Sequence, residues 1–274
     1  MRLMIKPTTF EILSSQKGQN IYIVSPDPKQ TIMKQASKQF SNLVKHVKDA
    51  VVYEIQGNPT LPDIVFTANG GFRVWGTPLV ILPQMKYKQR KDELPYLKEI
   101  FEDLGLQTLE FPSSEPFEGQ AEAKWFHGGK LLICGYGYRA TKKAFDLLGR
   151  MLHDVYRGSP PVLVTLPLDS PDYYHLDMAM LQFGDSCIVH KRAFSLDSIK
   201  ILKKVLGSSN VHIIDTDDAF CLNAVVQGGQ LLTHKISNSV KNTLESITGL
   251  DVVQNDTSVF ERSGGSVRCM ICDL

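Results

Sequence analysis

The chain carries almost no net charge. Lys+Arg number 30 against Asp+Glu 29 in 274 residues, a formal charge of +1, and no run of five like charges occurs. A nucleic-acid groove or an anionic membrane face needs a basic field, so neither is expected as a partner. Long apolar runs are also missing. The opening Met1-Arg2-Leu3-Met4-Ile5-Lys6-Pro7 has three apolar residues between its basic ones and then a proline, which fits neither a signal peptide nor a spanning helix. The expected compartment is the cytoplasm. Cysteines number 5, at positions 134, 187, 221, 269 and 272. An odd count without an export signal favours free thiols over a disulfide framework.

Cofactor signatures are absent too. Gly135-Tyr136-Gly137-Tyr138 lacks the third glycine of a dinucleotide loop, and neither a phosphate-binding GxxxxGK[ST] nor an HExxH is present. Cys269-x-x-Cys272 has no second ligand pair at zinc spacing, so no metal is expected. A thioredoxin-type pair sits where a strand feeds a helix, whereas here the chain ends two residues later. No cofactor is expected.

What is present is a repeating pattern. Five stretches have helical periodicity: from about Pro28 with Ile32, Ala36, Phe40, Leu43 and Val47; Leu97 to Leu104; Phe145 to Leu152 after Thr141; Leu196 to Leu206 after Ser195; and Val240 to Ile247 after Asn238. The polar residues before the last three are candidate N-caps, and Gly105, Gly207 and Gly249 are candidate stops. Each helix is followed by a short strand-like run: Val51 to Ile55, Leu106 to Phe111, Pro161 to Leu166, Val211 to Ile214, and Leu250 to Val253. Each is preceded by one: Asn20 to Val24, Pro78 to Leu82, Lys130 to Cys134, Ser186 to His190, and Gln230 to His234. Five strand–helix–strand units in a row would leave apolar edges at both ends of a linear stack, whereas closure about an axis buries them. The expectation is one α/β domain, residues 1–274, built as a five-bladed propeller of ββαβ units around a central active site.

Between these elements lie polar segments that a core would not select: Leu61 to Gly71, Phe117 to Ala123, Tyr174 to Met180, and Gly264 to Met270. Each has a plain reading. A Gly-Gly pair makes a tight turn, and Asp63 after a proline serves as a turn or cap residue. His175-x-Asp177 on a strand would point both side chains the same way, since a strand repeats every two residues. Cys269, just after Gly-Gly, is better suited to nucleophilic work with a histidine base than to metal or redox chemistry.

Taken together and in order, six pieces resemble the guanidino-group-modifying enzymes of the pentein superfamily: arginine deiminases, arginine dihydrolases, dimethylarginine dimethylaminohydrolases and amidinotransferases. The pieces are Pro62 to Asn69, Phe117-Glu118-Gly119, Gly135 to Arg139, His175-Leu176-Asp177, Cys221 to Val225, and Gly264 to Met270. The resemblance implies a five-bladed α/β propeller and a hydrolase that cleaves C–N bonds of the guanidinium of arginine or a methylated arginine, giving citrulline or ornithine with an amine or ammonia. It implies Cys269 as nucleophile, His175 as acid and then base, and Glu122, with Glu118 as a competitor, as the group orienting His175. Asp63, Asn69, Glu118, Arg139 and Asp177 are then the substrate-binding set, with Arg139 on a substrate carboxylate.

Asn69 departs from the deiminase and dimethylarginine pattern, which places an acidic residue there. Its carbonyl can still accept from a guanidinium, and the departure looks more like the dihydrolase branch. The asparagine-containing stretch expected of that branch is not evident before Lys29. The implied partner is a small cationic guanidino substrate. Alternatives are an amidinotransferase, in which an amine replaces water, and a non-catalytic pentein binding module. Homo-oligomer formation is left open, since no heptad run predicts it.

Overall fold

The computed structural model describes residues 1–23, 29–55 and 61–274. The chain divides into two compact units, Asn69–Asp215 and a second formed by Met1–Ala68 with Thr216–Leu274.

The Asn69–Asp215 unit contains three sheets of three strands. They are Phe72–Arg73, Leu79–Ile81 and Gln107–Leu109; Ala123–Phe126, Leu131–Tyr136 and Val162–Pro167; and Met180–Phe183, Ser186–His190 and Val211–Ile214. In each, the middle strand pairs antiparallel with the one before it and parallel with the one after. A parallel pair cannot be joined by a tight turn. Helices Leu94–Asp103, Lys142–Val155 and Leu196–Leu206 make the three crossovers. Thr141 and Ser195 cap the latter two, accepting from the Ala144 and Ser198 amides as their sequence positions suggest. Phe72, Phe117, Phe145, Leu148 and Leu152 form the core of the first two sheets, each side chain at most 1% exposed.

The second unit holds two more sheets of the same design. Val225–Gln227, Gln230–Thr233 and Asp251–Gln254 are linked through helix Asn238–Thr248. The last sheet is assembled from both ends of the chain. Arg2–Ile5 pairs parallel with Ala50–Tyr53 across helix Lys29–His46, and antiparallel with Cys272–Asp273. The expected five ββαβ units are therefore present.

Three expectations are corrected. The strand before the first helix is Arg2–Ile5, not Asn20 to Val24: Leu3, Met4 and Ile5 are fully buried, whereas Ile21 is 56% exposed. Asn20 instead folds a turn, its Oδ1 accepting from the Tyr22 and Ile23 amides. Val24, and the helix start placed at Pro28, lie outside the described residues. Ser237, not Asn238, caps the last long helix, accepting from the Val240 amide. His175 and Asp177 are not on a strand. His175 is the residue before the one-turn helix Leu176–Ala179, and Asp177 lies within it.

Candidate active site

In the Asn69–Asp215 unit, two backbone segments are pressed together by a glycine. Gly119 has φ +62°, and a Cβ there would stand 2.7 Å from the Gly71 carbonyl oxygen and 2.9 Å from that of Asn69. Any other residue would push the segments apart. The Gln120 amide completes the join by donating to the Gly71 carbonyl at 3.0 Å. Asn69, Glu118 and Glu122 are thereby held on adjoining backbone, all buried.

Glu118 is the hub. Its Oε2 accepts from His175 Nε2 at 2.9 Å and from Arg139 Nη1 at 3.2 Å, while its Oε1 accepts from the Lys86 amide at 3.1 Å. Arg139 lies between the rings of Tyr87 and Tyr174, its guanidinium carbon 4.7 Å from each centroid. The Tyr174 ring also contacts the His175 imidazole at 4.7 Å. Nε2 of His175 has two further neighbours, Asn69 Nδ2 at 3.3 Å and Glu122 Oε1 at 3.5 Å. Nδ1 of the same ring is buried and has no hydrogen-bond partner among the described residues.

The two glutamates are driven to opposite protonation states. Burial would raise the Glu118 pKa, but Arg139, the His175 hydrogen bond and the charge of Arg90 outweigh it and hold the carboxyl well below its ordinary value. Burial raises Glu122 well above its ordinary value, and the charges of Glu118 and Asp177 add to the rise. Glu118 is ionised at neutral pH, whereas Glu122 is pushed toward its protonated form. Burial also lowers the His175 pKa, opposed by the Glu118 hydrogen bond and charge. Paired groups pushed apart in this way are what acid–base chemistry requires.

Asn69 is held by a residue that the sequence did not single out. Arg90 Nη1 donates to Asn69 Oδ1 at 2.7 Å, and Arg90 itself pairs through Nε and Nη2 with both oxygens of Glu93, at 2.9 Å each. All three are buried. The Asn69 carbonyl therefore accepts from Arg90 with one of its two lone pairs. Within Gln89-Arg90-Lys91-Asp92-Glu93, nothing distinguishes Arg90 and Glu93 from an exposed i,i+3 pair.

In the other unit, Cys269 lies in the one-turn helix Arg268–Met270, 3% exposed among Phe66, Val267 and Met270. Gly265 permits this segment to pack closely, because a Cβ there would stand 2.2 Å from the Phe66 ring. Asn223 organises the turn. Its Oδ1 accepts from the amides of Arg268 at 3.0 Å and Cys269 at 3.3 Å, and its Nδ2 donates to Cys269 Sγ at 3.1 Å. The motif Cys221-Leu222-Asn223 was visible in the sequence, but this role was not. Asp63, in the same unit, accepts from Gln16 Nε2 at 2.6 Å and lies 3.3 Å from Ser263 Oγ. Those bonds bind the chain's N-terminal region to the segment before Gly264. The remaining cysteines are buried thiols: burial pushes Cys187 and Cys272 up to about 12, and raises Cys134 and Cys221 as well.

Among the described residues, no group of three or more His, Cys, Asp or Glu side chains is arranged to hold a metal ion. Nor is any helix long and apolar enough to cross a membrane.

Comparison with known proteins decides the family. The family model for eukaryotic N,N dimethylarginine dimethylhydrolase matches residues 6–274. The chain belongs to that family. It is 28% identical over 257 residues to the bifunctional arginine dihydrolase/ornithine cyclodeaminase AgrE of Nostoc, covering 91% of this chain but 35% of AgrE. It thus spans about a third of the length of that relative. It is 27% identical over 217 residues to N(G),N(G)-dimethylarginine dimethylaminohydrolase of Mycobacterium tuberculosis, covering 78% of this chain and 67% of the relative. Among solved structures, the N-terminal domain of an ArgZ variant covalently bound to a reaction intermediate superimposes with TM-score 0.86 at 25% identity, covering 99% and 96% of the two chains. This member of the family thus has the five-unit α/β fold expected from its sequence.

Proposed function

We propose that the chain is a hydrolase of the guanidinium group of arginine or a methylated arginine, working through Cys269 and His175. The observation that carries this reading is His175, buried beside an ionised Glu118 and a Glu122 whose pKa burial raises, in a chain of this family that also holds the Cys269 thiol on Asn223.

A guanidinium spreads its charge over three nitrogens and is a poor electrophile, so the reaction needs a strong nucleophile and a placed proton. Cys269 attacks the central carbon as the thiolate, its proton lost before the attack. The C–N bond to the leaving amine breaks as that nitrogen takes a proton from His175, leaving a thiouronium on Cys269. His175, now neutral, takes a proton from water as its oxygen attacks the same carbon. Breaking the C–S bond then frees the thiolate and the ureido product, whose remaining hydroxyl proton passes to solvent. The same group acts as acid and then base, which suits a lowered His175 pKa.

The geometry favours Glu118 over Glu122 as the carboxylate orienting His175, since it is nearer and ionised. Glu122 and Asp177 then stand as guanidinium-facing groups, Arg139 as a carboxylate-binding group stiffened by its two tyrosines, and Asp63 as a support of the Cys269 segment. Residues 1–274 are proposed to work as one catalytic domain. No cofactor is called for, and the free thiols favour a cytoplasmic setting.

Within the substrate class, arginine itself is favoured over dimethylarginine. Asn69 stands where an acidic residue is the dimethylarginine pattern, and AgrE is named as an arginine dihydrolase. A cysteine-to-serine variant of ArgZ was captured with substrate and an asparagine-to-serine variant with a covalent intermediate, the residue types found here at 269 and 69. The test is amino-acid and ammonia analysis after incubation with arginine, agmatine, and mono- and dimethylated arginines, with and without glycine as an amine acceptor. Citrulline or ornithine formed from arginine, absent with Cys269→Ala, is the expected result. Product formed only with the acceptor would make the chain an amidinotransferase, and no product from any guanidine would favour a binding module.

A further inference from the structure

The amide of Asn69 is two-sided, and Arg90 decides which side faces His175. A guanidinium offers donors and no acceptor. The Asn69 atom 2.7 Å from Arg90 Nη1 must therefore be the carbonyl oxygen, and the hydrogen-bond network sets the orientation of the amide. The Nδ2 side is then the one lying 3.3 Å from His175 Nε2. Arg90 is itself fixed by its two-pronged pairing with Glu93, with Arg90 4% and Glu93 1% exposed. A paired, buried guanidinium of this kind holds one geometry.

We propose that Arg90, locked by Glu93, is a positioning residue that keeps the N–H side of Asn69 toward His175 and so opposes the imidazolium, easing the release of its proton to the leaving amine and the neutral state that the later base step uses. The inference rests on the reading of His175 as the acid–base group. Nε2 already donates to Glu118, so the proton gained on acidification enters at Nδ1; the positive end of the Asn69 amide facing the ring opposes that added charge and favours imidazole over imidazolium, whereas a flipped amide would present its oxygen and do the reverse. The other groups facing His175 are Glu118 and Asp177, whose charges favour the imidazolium; Arg139, which opposes it; Glu122, whose pKa burial raises; and the Tyr174 ring. Asn69 carries no charge, so the sign of its effect depends on its orientation alone.

The test is a titration of the ring nitrogens of His175 in the full chain, labelled with 15N-histidine and followed by NMR, with His175→Gln to assign the signal. Arg90→Met combined with Glu93→Gln removes one charge of each sign and frees the amide. This variant is expected to titrate at higher pH than the parent, and Glu93→Gln alone, which loosens Arg90 but keeps its charge, to shift the same way by less. Arg90→Lys, which keeps a charged donor for the Asn69 carbonyl, should stay near the parent. In an Asn69→Ala background, the Arg90→Met and Glu93→Gln pair should have no further effect. An unchanged midpoint in Glu93→Gln and in the pair overturns the proposal, as does an upward shift that persists without Asn69. The titration needs no substrate. A shift in a chain that hydrolyses no guanidine would uphold the positioning role and overturn the hydrolase reading; turnover with an unshifted midpoint would do the opposite.

Discussion

The two units bury reactive groups in contrasting ways. In Asn69–Asp215, Glu118, Glu122, Arg139, His175, Asp177, Arg90 and Glu93 are all buried, and neighbouring charges shift the pKa values of Glu118, Glu122 and His175. In the other unit, Cys269 sits in an apolar cluster with its turn held by the single side chain of Asn223. A buried charge must be compensated or it unfolds the protein, whereas a thiol behaves as a small apolar group. Removing a member of the charged network should therefore cost stability and activity together, and removing the thiol should cost activity alone.

The largest loss of stability is expected from Glu118→Gln. It leaves Arg139 buried without its ion pair, and breaking a buried pair from one side costs about 3–5 kcal/mol. Urea denaturation measures this, and a loss under about 1 kcal/mol would show that the network is not held by charge. The same substitution should change the acid limb. Because the folded Glu118 pKa lies below the unfolded value near 4.3, its stabilisation is present above that pH and disappears as pH falls through the folded pKa. Glu118→Gln should accordingly show a shallower fall in stability below about pH 4.

Asn223→Ala comes next. It strips the acceptor from the Arg268 and Cys269 amides, and an unsatisfied buried donor costs about 1–3 kcal/mol. Glu122→Gln should cost less, about 1 kcal/mol at neutral pH, because burial already pushes the carboxyl it replaces toward the uncharged form. Its signature has the opposite sign to that of Glu118. A raised folded pKa gives stability that is full below the ordinary carboxyl value and is lost as pH rises through the folded value, so Glu122→Gln should gain on the parent as pH rises above about 4. Stability curves that stay parallel from there upward would contradict the raised pKa. The smallest stability effect, about 1 kcal/mol or less, belongs to Cys269→Ala, together with complete loss of turnover.

The same contrast explains what could be read in the sequence. Helix caps act over three or four residues, so Thr141 and Ser195 were legible, as were Gly207 and Gly249, which close their helices with positive φ. The Cys269 segment was legible because Gly265 and the thiol are close in the chain. The strand Arg2–Ile5 was not, since what makes it a strand is pairing with residues 50–53 and 272–273. His175-x-Asp177 suggested a strand by spacing alone, but a one-turn helix buries both residues equally well. Arg90 and Glu93 were invisible for a related reason. Their sequence is that of a surface helix, and only the fold carries them to Asn69, a residue 21 positions away from Arg90. The choice between Glu118 and Glu122 also depended on distances that spacing does not contain.

The central claim is that the thiol of Cys269 and the imidazole of His175 act in succession on one guanidinium. Mass spectrometry of His175→Gln incubated with arginine, quenched in acid and digested, tests it most directly. In the proposed order, this variant cannot pass a proton to the leaving amine or activate water, so the Cys269 peptide should remain unmodified, whereas the parent should show a Cys269 adduct during turnover that is absent from Cys269→Ala. Turnover of arginine by the parent with no adduct on Cys269, or undiminished turnover by His175→Gln, would contradict the account.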